Sequence, residues 1–475
     1  MSIIKKLLLL SLIIILLNAC NDSEVYNPIY VIEIVYEEPE TKPEELDFWD
    51  IFEPVDENHC RWAYDIIQLR DFIFAQHPRF IDGIFQRSLI FTANRYSDQF
   101  SDVYYQQLLN QQEEIRAAIY DMTSELINEI PNKTEREIIV ELQRIFARLK
   151  DNHSIFLDFQ ELKLEEAYPL RFKLLGDELY LVASSEEFSA FLGYRLISVN
   201  NVAIEDIATK YLRYGNIENI YATKPGVEMF ISSPIMLEVL KVADSDENTF
   251  TLLSKDGNEV DLTPQVLQNE EEEFVFIRDR QLLLRNQNAD KVKWFVLLED
   301  EEILYIRFNQ FHREEGISLR REVANFLETN ENNISAAIID ARYNPGGFQQ
   351  YTMSVFYHLN NNIPADRIFY FMNESSTSGS TLAAGFMYMR GATIIGRPSG
   401  QGITFFVGGI PDLELNYSEL RFTVSSGVRS TWEHGYHADD NIIRPHVLIN
   451  YTLDDWVNAR DLSLEYVINL LKYNN

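Results

Sequence analysis

The fold is decided by residues 334–347, which read ISAAIIDARYNPGG. Residues 334–340 are almost entirely apolar, and a short apolar run that ends at turn residues is typical of a strand buried on both faces. The Pro345-Gly346-Gly347 turn follows this strand directly. Because glycine allows positive φ and close approach to the backbone, the N–H groups of this turn can point into a cleft. The same residues also suit an ordinary turn, and both interpretations stay open at this point.

A second strand leads into a cluster of serines. Residues 368–372 have the composition of a strand, and residues 376–380 read STSGS. A serine at a strand-to-helix turn lies near the helix N-terminus, where the helix dipole stabilises developing negative charge. Ser378 is therefore a candidate nucleophile, and the N–H of Gly379 is a candidate donor to an oxyanion. The alternative is that these serines only form the turn and cap the helix.

Strands and helices alternate throughout residues 286–475. Residues 303–308 and 392–396 are also strand-like, and residues 380–389 have the pattern of a helix between two of the strands. Such alternation is typical of an α/β layer with parallel strands. The predicted fold class is therefore α/β, with this region as its core.

Two regions of different character precede this core. Residues 47–152 predict a helical subdomain, in which Thr134 and Glu137 form a capping box before a helical apolar stripe. Residues 153–285 change to short strands separated by Gly-Asp and Asp-Gly turns. Within them, residues 193–201, GYRLISVNN, resemble the strand and turn of a PDZ-like module, which captures extended peptides by strand addition. An ordinary β-hairpin is the alternative.

The N-terminus predicts export and attachment to lipid. In residues 1–19, Lys5 and Lys6 precede an apolar run that is short for a membrane span, and Ala19 precedes Cys20. This pattern resembles a bacterial lipoprotein signal, which implies lipidation of Cys20 and a place in the cell envelope, at the outer membrane. A plain secretory signal or an uncleaved anchor is the alternative. Residues 20–46 are rich in Glu and Pro and predict an acidic tether.

Composition excludes several classes of function. The 475 residues carry a formal net charge of −33, whereas nucleic-acid binding needs a basic face that neutralises phosphates. The acidity is best explained as a solvated surface that keeps the protein soluble. The chain has two cysteines, Cys20 and Cys60, so a lipidated Cys20 leaves no pair for a disulfide framework and no cysteine-based zinc site.

A nucleophilic serine needs a base, and the chain offers eight histidines. His153 stands out because it lies at the junction of the helical and β-rich regions, where clefts tend to form. A lone histidine is more often structural, so context alone does not assign it. His434 and His437 lie near Glu433 and raise a metal-site alternative. No helical His spacing and no cysteine supports that alternative, so no metal is predicted.

Taken in order, these segments resemble the tail-specific or C-terminal processing serine peptidases, and more closely their tricorn-like branch. Residues 338–347 are similar to the family's D-x-R-x-N-P-G-G element, its most specific motif. Residues 376–380 are similar to a segment whose third residue is the nucleophile, here Ser378. Residues 391–400, GATIIGRPSG, are similar to the strand and turn that follow, and residues 193–201 fit the family's PDZ-like insertion.

The branches of this family differ in their base. The processing branch uses a Ser–Lys dyad, but the lysine position falls at Gln401, which cannot act as a base. The tricorn-like branch uses a Ser, a His and a Glu. Asp151-Asn152-His153 is similar to its D-x-H element, and Trp432-Glu433-His434-Gly435 to its W-E-G element. In the latter, His434 displaces the glycine, and His446 stands where the family's later P-D element has its Asp.

The resemblance implies a role for each matched residue. The catalytic residues would be Ser378 as nucleophile, His153 as base and Glu433 as orienting carboxylate, with an oxyanion hole formed by Gly346, Gly347 and Gly379. It also implies a core of the ClpP/crotonase-like type, a polypeptide substrate and no cofactor. The oligomeric state is left open.

Two other functions compete with a lipid-anchored serine endopeptidase. The first is a catalytically inactive family member that binds peptides or apolar ligands, because the family's lysine is missing and its P-D element is altered. The second is a carbohydrate-binding or substrate-capture lipoprotein, which would have exposed aromatic platforms, as the 13% aromatic content allows.

Overall fold

The computed structural model describes residues 56–81, 102–163, 166–243, 247–267, 273–279, 283–312, 318–330, 334–407, 412–431, 435–436 and 440–473, with the backbone alone for 102–110. All of them belong to one compact unit, Pro54–Asn475. The predicted signal peptide, the acidic tether, Cys20 and Glu433 lie outside the described residues. None of the described helices is both long and apolar enough to cross a membrane.

The described helices are α1 (Glu57–Gln76), α2 (Asp102–Glu129), α3 (Glu135–Phe146), α4 (Leu157–Leu162), α5 (Ile204–Tyr211), α6 (Thr223–Phe230), α7 (Pro234–Val239), α8 (Leu319–Asn330), α9 (Gln350–Asn362), α10 (Gly379–Met389), α11 (Leu453–Val457) and α12 (Leu462–Tyr473). The described strands are β1 (Ile155–Phe156), β2 (Leu170–Leu175), β3 (Glu178–Ser184), β4 (Arg195–Val199), β5 (Val202–Ala203), β6 (Phe250–Leu253), β7 (Glu259–Leu262), β8 (Val275–Phe276), β9 (Lys293–Leu298), β10 (Ile303–Phe308), β11 (Ala336–Asp340), β12 (Ile368–Met372), β13 (Thr393–Gly396), β14 (Thr404–Val407), β15 (Asp412–Glu414), β16 (Arg421–Thr423), β17 (Gly427–Ser430) and β18 (Val447–Leu448).

Helix α3 follows the predicted apolar stripe. The capping box at the start of α3 is confirmed, since the Thr134 hydroxyl accepts the Glu137 N–H and the Glu137 carboxylate accepts the Thr134 N–H at 2.7 Å. Ile138, Leu142 and Ile145 are buried on one face of the same helix. The amphipathic pattern therefore turns one side of α3 into the protein core.

The β-rich region forms an antiparallel sheet. Its strand order is β2-β3-β4-β6-β7, with β5 paired to β4 and β8 paired to β3. The predicted turns join β2 to β3 at Gly176 and β6 to β7 at Gly257, both with positive φ. The stretch 193–201 supplies β4 and its following turn, where Asn200 and Asn201 have φ of 49° and 62°. Asn tolerates this left-handed conformation better than most residues, which explains the tight turn into β5.

The core of the chain is a mixed α/β layer, and the predicted fold class is confirmed at that level. Its sheet has the order β18-β13-β12-β11-β10-β9, in which β9 is antiparallel and the other pairings are parallel. Helices α8, α9 and α10 connect successive parallel strands. Residues on β10 alternate between the two faces: Leu304 and Ile306 pack in the cluster that includes α8–α10, while Ile303 and Tyr305 pack with residues of α12. Both faces of the sheet are therefore buried, as the continuous apolar strands predicted.

This topology brings the two sequence segments of interest to one edge of the sheet. Strands β11 and β12 are parallel, and Asp340 lies opposite Phe371 near the end of each strand. The Gly-Gly turn and the Ser378 segment follow these strand ends. Ligand and active sites in α/β sheets form preferentially at the carboxyl ends of the strands.

A buried ionic network fixes the turn that follows β11. The Asp340 carboxylate accepts hydrogen bonds from Tyr305 Oη at 2.6 Å, Arg307 Nη1 at 3.0 Å and Arg342 Nε at 3.0 Å. The two Nη atoms of Arg342 each lie 2.8 Å from a carboxylate oxygen of Asp461, just before α12. Burial alone would raise the pKa of Asp340, but Arg342 and Arg307 hold it well below its usual range. The network therefore ties the Gly-Gly turn to the rest of the core.

Candidate active site

Ser378 occupies a sharp turn between β12 and α10. Its backbone has φ of 53° and ψ of −123°, a combination that residues with a Cβ rarely adopt. Strain of this kind costs about 1–3 kcal/mol and persists where the surrounding structure enforces it, commonly at active sites. The Ser378 side chain makes no capping hydrogen bond to α10 within the described part of the chain. A purely capping role for this serine therefore receives no support.

The neighbouring serines have structural partners instead. The Ser376 hydroxyl is buried and donates to the Ala341 carbonyl at 2.9 Å. The Ser380 hydroxyl is also buried and lies 3.0 Å from Tyr370 Oη. These contacts connect the turn to β11 and β12, whereas the Ser378 hydroxyl faces a histidine.

That histidine is His153. Its Nε2 lies 3.0 Å from Ser378 Oγ, within hydrogen-bond reach, so the structure brings together the serine and histidine that the sequence singled out. Burial lowers the pKa of His153 below its usual value, and the nearby charge of Asp151 opposes that effect in part. The imidazole is therefore predominantly neutral at neutral pH, the state that can accept a proton from the serine hydroxyl.

The backbone around His153 is held from several sides. Asp151 accepts the His153 N–H at 2.9 Å and the Ser154 hydroxyl at 2.5 Å. Strand β1 then begins two residues after His153 and pairs antiparallel with β16. The imidazole ring stacks on Phe405 of β14, with centroids 5.6 Å apart and an interplanar angle of 10°. These contacts fix both the position of the ring and its plane.

Asp151 is a buried anion beside this histidine. Its Oδ2 lies 3.2 Å from Nε2 of the buried His77 on the other side. Burial would raise the pKa of Asp151, but the interaction with His77 and the hydrogen bond from Ser154 bring it down to about 2. The Asp151 charge is therefore constant across the physiological range.

The predicted oxyanion donors do not have equal surroundings. The Gly346 N–H donates to Asn344 Oδ1 at 2.7 Å, so it is not free to bind an oxyanion. Of the three predicted oxyanion donors, Gly347 and Gly379 therefore remain as candidates. The bridge to Phe311 uses the Gly346 carbonyl and the Phe348 N–H, not the N–H of Gly347. Gly379 is the first residue of α10, so its N–H has no acceptor within that helix.

Glycine is required at position 346 by its closeness to the nucleophile. Its φ is +101°, and a Cβ there would lie 2.5 Å from Ser378 Cβ and 2.7 Å from the Gly379 nitrogen. We expect Gly346→Ala to displace Ser378 and to slow the reaction of its hydroxyl with a fluorophosphonate probe by at least a hundredfold, since misplacement by about 1 Å can have that effect. The rate at which the probe labels Ser378 measures the change.

Gly257 provides the matched control for this substitution. It also has positive φ, at +82°, but a Cβ there would meet nothing within 4 Å. Gly257→Ala should therefore share the backbone strain and keep the wild-type rate of labelling at Ser378. Equal losses in the two variants would show that strain alone, and not crowding at Ser378, explains the Gly346→Ala result.

Gln401 also lies at this site, in a role that the sequence did not suggest. Its Oε1 accepts the Ser378 N–H, and its Nε2 lies 2.7 Å from Asn152 Oδ1 and 3.4 Å from His153 Nδ1. The residue in the lysine position thus contacts the backbone of the candidate nucleophile and borders the candidate base. Its side chain is buried and cannot take up a proton.

Glu218 is the further residue that sequence reasoning missed. Its Oε1 accepts Gln401 Nε2 at 3.0 Å and the Asn152 N–H at 3.4 Å, and its Oε2 accepts the Gly402 N–H at 3.0 Å. Burial, together with the negative charge of Asp151, raises the pKa of Glu218 to about 8. The residue lies in a loop outside any recognisable motif, so no spacing in the sequence could have pointed to it.

Three side chains that could ligate a metal meet at the same place. One ligand atom each from Asp151, His153 and Glu218 lies within 4.8 Å of the others. Both carboxylates already accept hydrogen bonds from protein donors. The spacing alone therefore supports no metal proposal.

The third predicted catalytic residue, Glu433, lies outside the described residues, as do His434 and His437. The structure thus joins Ser378 and His153, places the Gly347 carbonyl against Gly379, the residue after Ser378, and leaves the assignment of Glu433 a prediction.

The arrangement resembles solved structures in fold. Mature CPAF complexed with lactacystin aligns over 87% of this chain and 98% of its own, with a TM-score of 0.55 and 12% identity. Mature CPAF aligns over 87% and 97% of the two chains, with a TM-score of 0.53 and 12% identity. The photosystem II D1 C-terminal processing protease aligns over 86% of this chain and 97% of its own, with a lower TM-score of 0.37 and 12% identity.

No protein-family model matches the chain, and no curated protein matches it significantly. At 12% identity the similarity to mature CPAF concerns the fold, and it extends over nearly the whole length of that protein. This chain therefore shares the overall fold of mature CPAF.

Proposed function

We propose that this protein is a serine peptidase that hydrolyses peptide bonds of extended polypeptides. The observation that carries the proposal is the 3.0 Å contact between Ser378 Oγ and His153 Nε2 at a strained strand-to-helix turn. The sequence resemblance to tail-specific peptidases and the fold shared with mature CPAF support the same conclusion.

The chemistry follows from the positions of these groups. Ser378 Oγ attacks the carbonyl carbon of the peptide bond while His153 Nε2 takes its proton. The oxyanion that forms lies near the N-terminus of α10, where the N–H groups of Gly379 and Gly347 are the candidate donors; removing one such donor typically costs about 3–4 kcal/mol in the barrier. His153 then passes the proton to the leaving amine, and water hydrolyses the acyl-enzyme in a second cycle.

Several finer features belong to the proposal as well. Glu433 would orient the base, as the resemblance to the tricorn-like branch implies. The core would be of the ClpP/crotonase-like type, and the stretch 193–201 would belong to a PDZ-like module that holds an extended peptide. Lipidation at Cys20 would keep the protein in the cell envelope at the outer membrane.

One observation favours a second candidate, a peptide-binding protein without catalysis. In the described residues, the group closest to His153 Nδ1 in the hydrogen-bond network is the amide nitrogen of Gln401, not a carboxylate oxygen. A triad normally presents a carboxylate to that nitrogen. If this arrangement is the functional one, the same cleft would bind peptide and leave it intact.

Incubation of the purified chain with an unfolded polypeptide separates the two candidates. The peptidase should generate new amino termini, detectable by mass spectrometry, and products should accumulate in proportion to enzyme concentration. Recovery of intact polypeptide, together with calorimetric binding of the same polypeptide, would contradict the peptidase and support the binding protein.

A further inference from the structure

The side-chain amide of Gln401 forms hydrogen bonds with three residues of the candidate site: Ser378, Asn152 and Glu218. Its oxygen accepts the Ser378 N–H. Its nitrogen carries two hydrogens, and acceptors lie at 2.7 Å in Asn152 Oδ1 and at 3.0 Å in Glu218 Oε1. Because both hydrogens have these closer acceptors, the 3.4 Å approach to His153 Nδ1 is a packing contact more than a full hydrogen bond.

Glu218 determines which way this amide faces. When ionised, its carboxylate presents only acceptors to Gln401, so it selects the orientation in which the Gln401 nitrogen points to Glu218 and the oxygen points to Ser378. The reversed amide would set an N–H donor against the Ser378 N–H and an oxygen against the Glu218 carboxylate. Glu218 thereby supports the strained backbone of Ser378 through the Gln401 amide.

Glu218 is also close enough to His153 to act on its charge. A carboxylate oxygen of Glu218 lies within 4.8 Å of a nitrogen of His153. When Ser378 transfers its proton to Nε2, the neutral imidazole becomes a cation. A carboxylate at this distance in a partly buried site stabilises such a cation appreciably.

We propose that Glu218 is a positioning residue for the Ser378–His153 pair, which holds the Gln401 amide in place and, when ionised, stabilises the imidazolium of His153. This inference rests on the proposed peptidase function. It assigns to a carboxylate of the β-rich region part of the role that the resemblance gives to Glu433.

The pH dependence of activity follows from the groups that face Glu218. These are Asp151, His153, the Gln401 amide and the N–H groups of Asn152 and Gly402. The pKa of Asp151 is about 2, so this carboxylate stays ionised between pH 6 and pH 9. Burial lowers the pKa of His153, so its imidazole is neutral at every pH above the usual pKa of histidine. With a pKa of about 8, Glu218 is protonated at pH 6 and ionised at pH 9. Activity should therefore rise in an additional step near pH 8.

Glu218→Gln tests this directly, because glutamine resembles protonated glutamate. We expect kcat/KM of the variant to approach that of the wild type at pH 6 and to fall behind it by roughly tenfold to a hundredfold at pH 9. The substrate is an internally quenched peptide with a blocked amino terminus and no histidine, so that it does not titrate in this range. A purely structural role would give a deficit that does not change with pH.

Glu228→Gln is the matched control. Glu228 is also partly buried and bonded to a backbone N–H, that of Leu174, but it pairs with Lys173 and not with the groups at Ser378. The ratio of its kcat/KM to that of the wild type should be the same at pH 6 and at pH 9. If Glu218→Gln does not fold, as judged by its unfolding transition, Glu218→Asp replaces it. The shortened carboxylate should keep the step near pH 8 at reduced amplitude, and kinetics identical to wild type would overturn the proposal.

The outcomes separate this inference from the function on which it rests. A wild-type protein that cleaves no peptide between pH 6 and pH 9 overturns both. An active wild type with an unchanged Glu218→Gln variant, or with a deficit independent of pH, overturns the role of Glu218 and leaves the peptidase standing.

Discussion

Replacing Ser378 by alanine is expected to abolish peptide hydrolysis. The substitution removes the attacking oxygen, which lies 3.0 Å from His153 Nε2, and leaves the base without a proton to accept. In serine peptidases the loss of the nucleophile typically lowers kcat by a factor on the order of 10⁴–10⁶. The fold should persist, because the Ser378 hydroxyl makes no capping bond to α10 in the described structure. Product formation in a continuous peptide assay, and the thermal unfolding of the same sample, measure the two halves of this prediction.

Ser375→Ala is the appropriate control, since Ser375 lies in the same turn and is also partly exposed. It should retain wild-type kinetics. If Ser378→Ala keeps full activity while folded, the assignment of the nucleophile is wrong, whatever the behaviour of the control.

The second large effect concerns stability. Arg342→Met should destabilise the protein by roughly 3–5 kcal/mol, because it leaves the buried carboxylates of Asp340 and Asp461 without their shared partner. Burial removes these carboxylates from water, and the charge and hydrogen bonds of the arginines provide most of the compensation, with tyrosine hydroxyls as further donors. The free energy of unfolding from a denaturant titration gives the magnitude, provided that the transition is two-state.

Arg144→Met is the comparison for this measurement. Arg144 also pairs with an acid, Glu141 at 2.8 Å, but its side chain is 41% exposed, and such pairs contribute little. A small change for Arg144→Met beside a large one for Arg342→Met would support the view that burial makes the difference. Similar small changes in both variants would contradict the proposed role of the network in fixing the Gly-Gly turn.

The sequence predicted the core of the fold because apolar periodicity and turn chemistry are local signals. The strands at 303–308 and 368–372 coincide with β10 and β12, and the capping box at Thr134 begins α3. Parallel pairing of β11 with β12 then follows from the alternation of strands and helices. These features depend on which face of each element must be buried, and a single chain reveals that pattern.

The juxtaposition of His153 and Ser378 was reached from the sequence through resemblance and not through spacing. The two residues lie in different regions, and their contact depends on the pairing of β1 with β16 and on the stacking against Phe405. No local pattern encodes such long-range contacts. A D-x-H element became informative only when set beside a family that contains one.

Other parts of the site could not be predicted. Glu218 is one of many glutamates in an acidic chain, and its importance arises from burial beside Asp151 and from contact with Gln401. Gln401 was interpreted only as a lost lysine, although its amide bonds to the Ser378 backbone. The Gly346 N–H was predicted to be an oxyanion donor, but it instead donates to the side chain of Asn344, two residues earlier. Each of these depends on side-chain orientation, which follows from the assembled structure.

Reaction with a fluorophosphonate probe tests the central claim most directly, because the probe modifies a serine only when a neighbouring base activates it. The account predicts one adduct per chain, mapped by mass spectrometry to Ser378, absent in Ser378→Ala and strongly slowed in His153→Gln. Folded wild-type protein that acquires no adduct, or that carries it at another serine, would contradict the account.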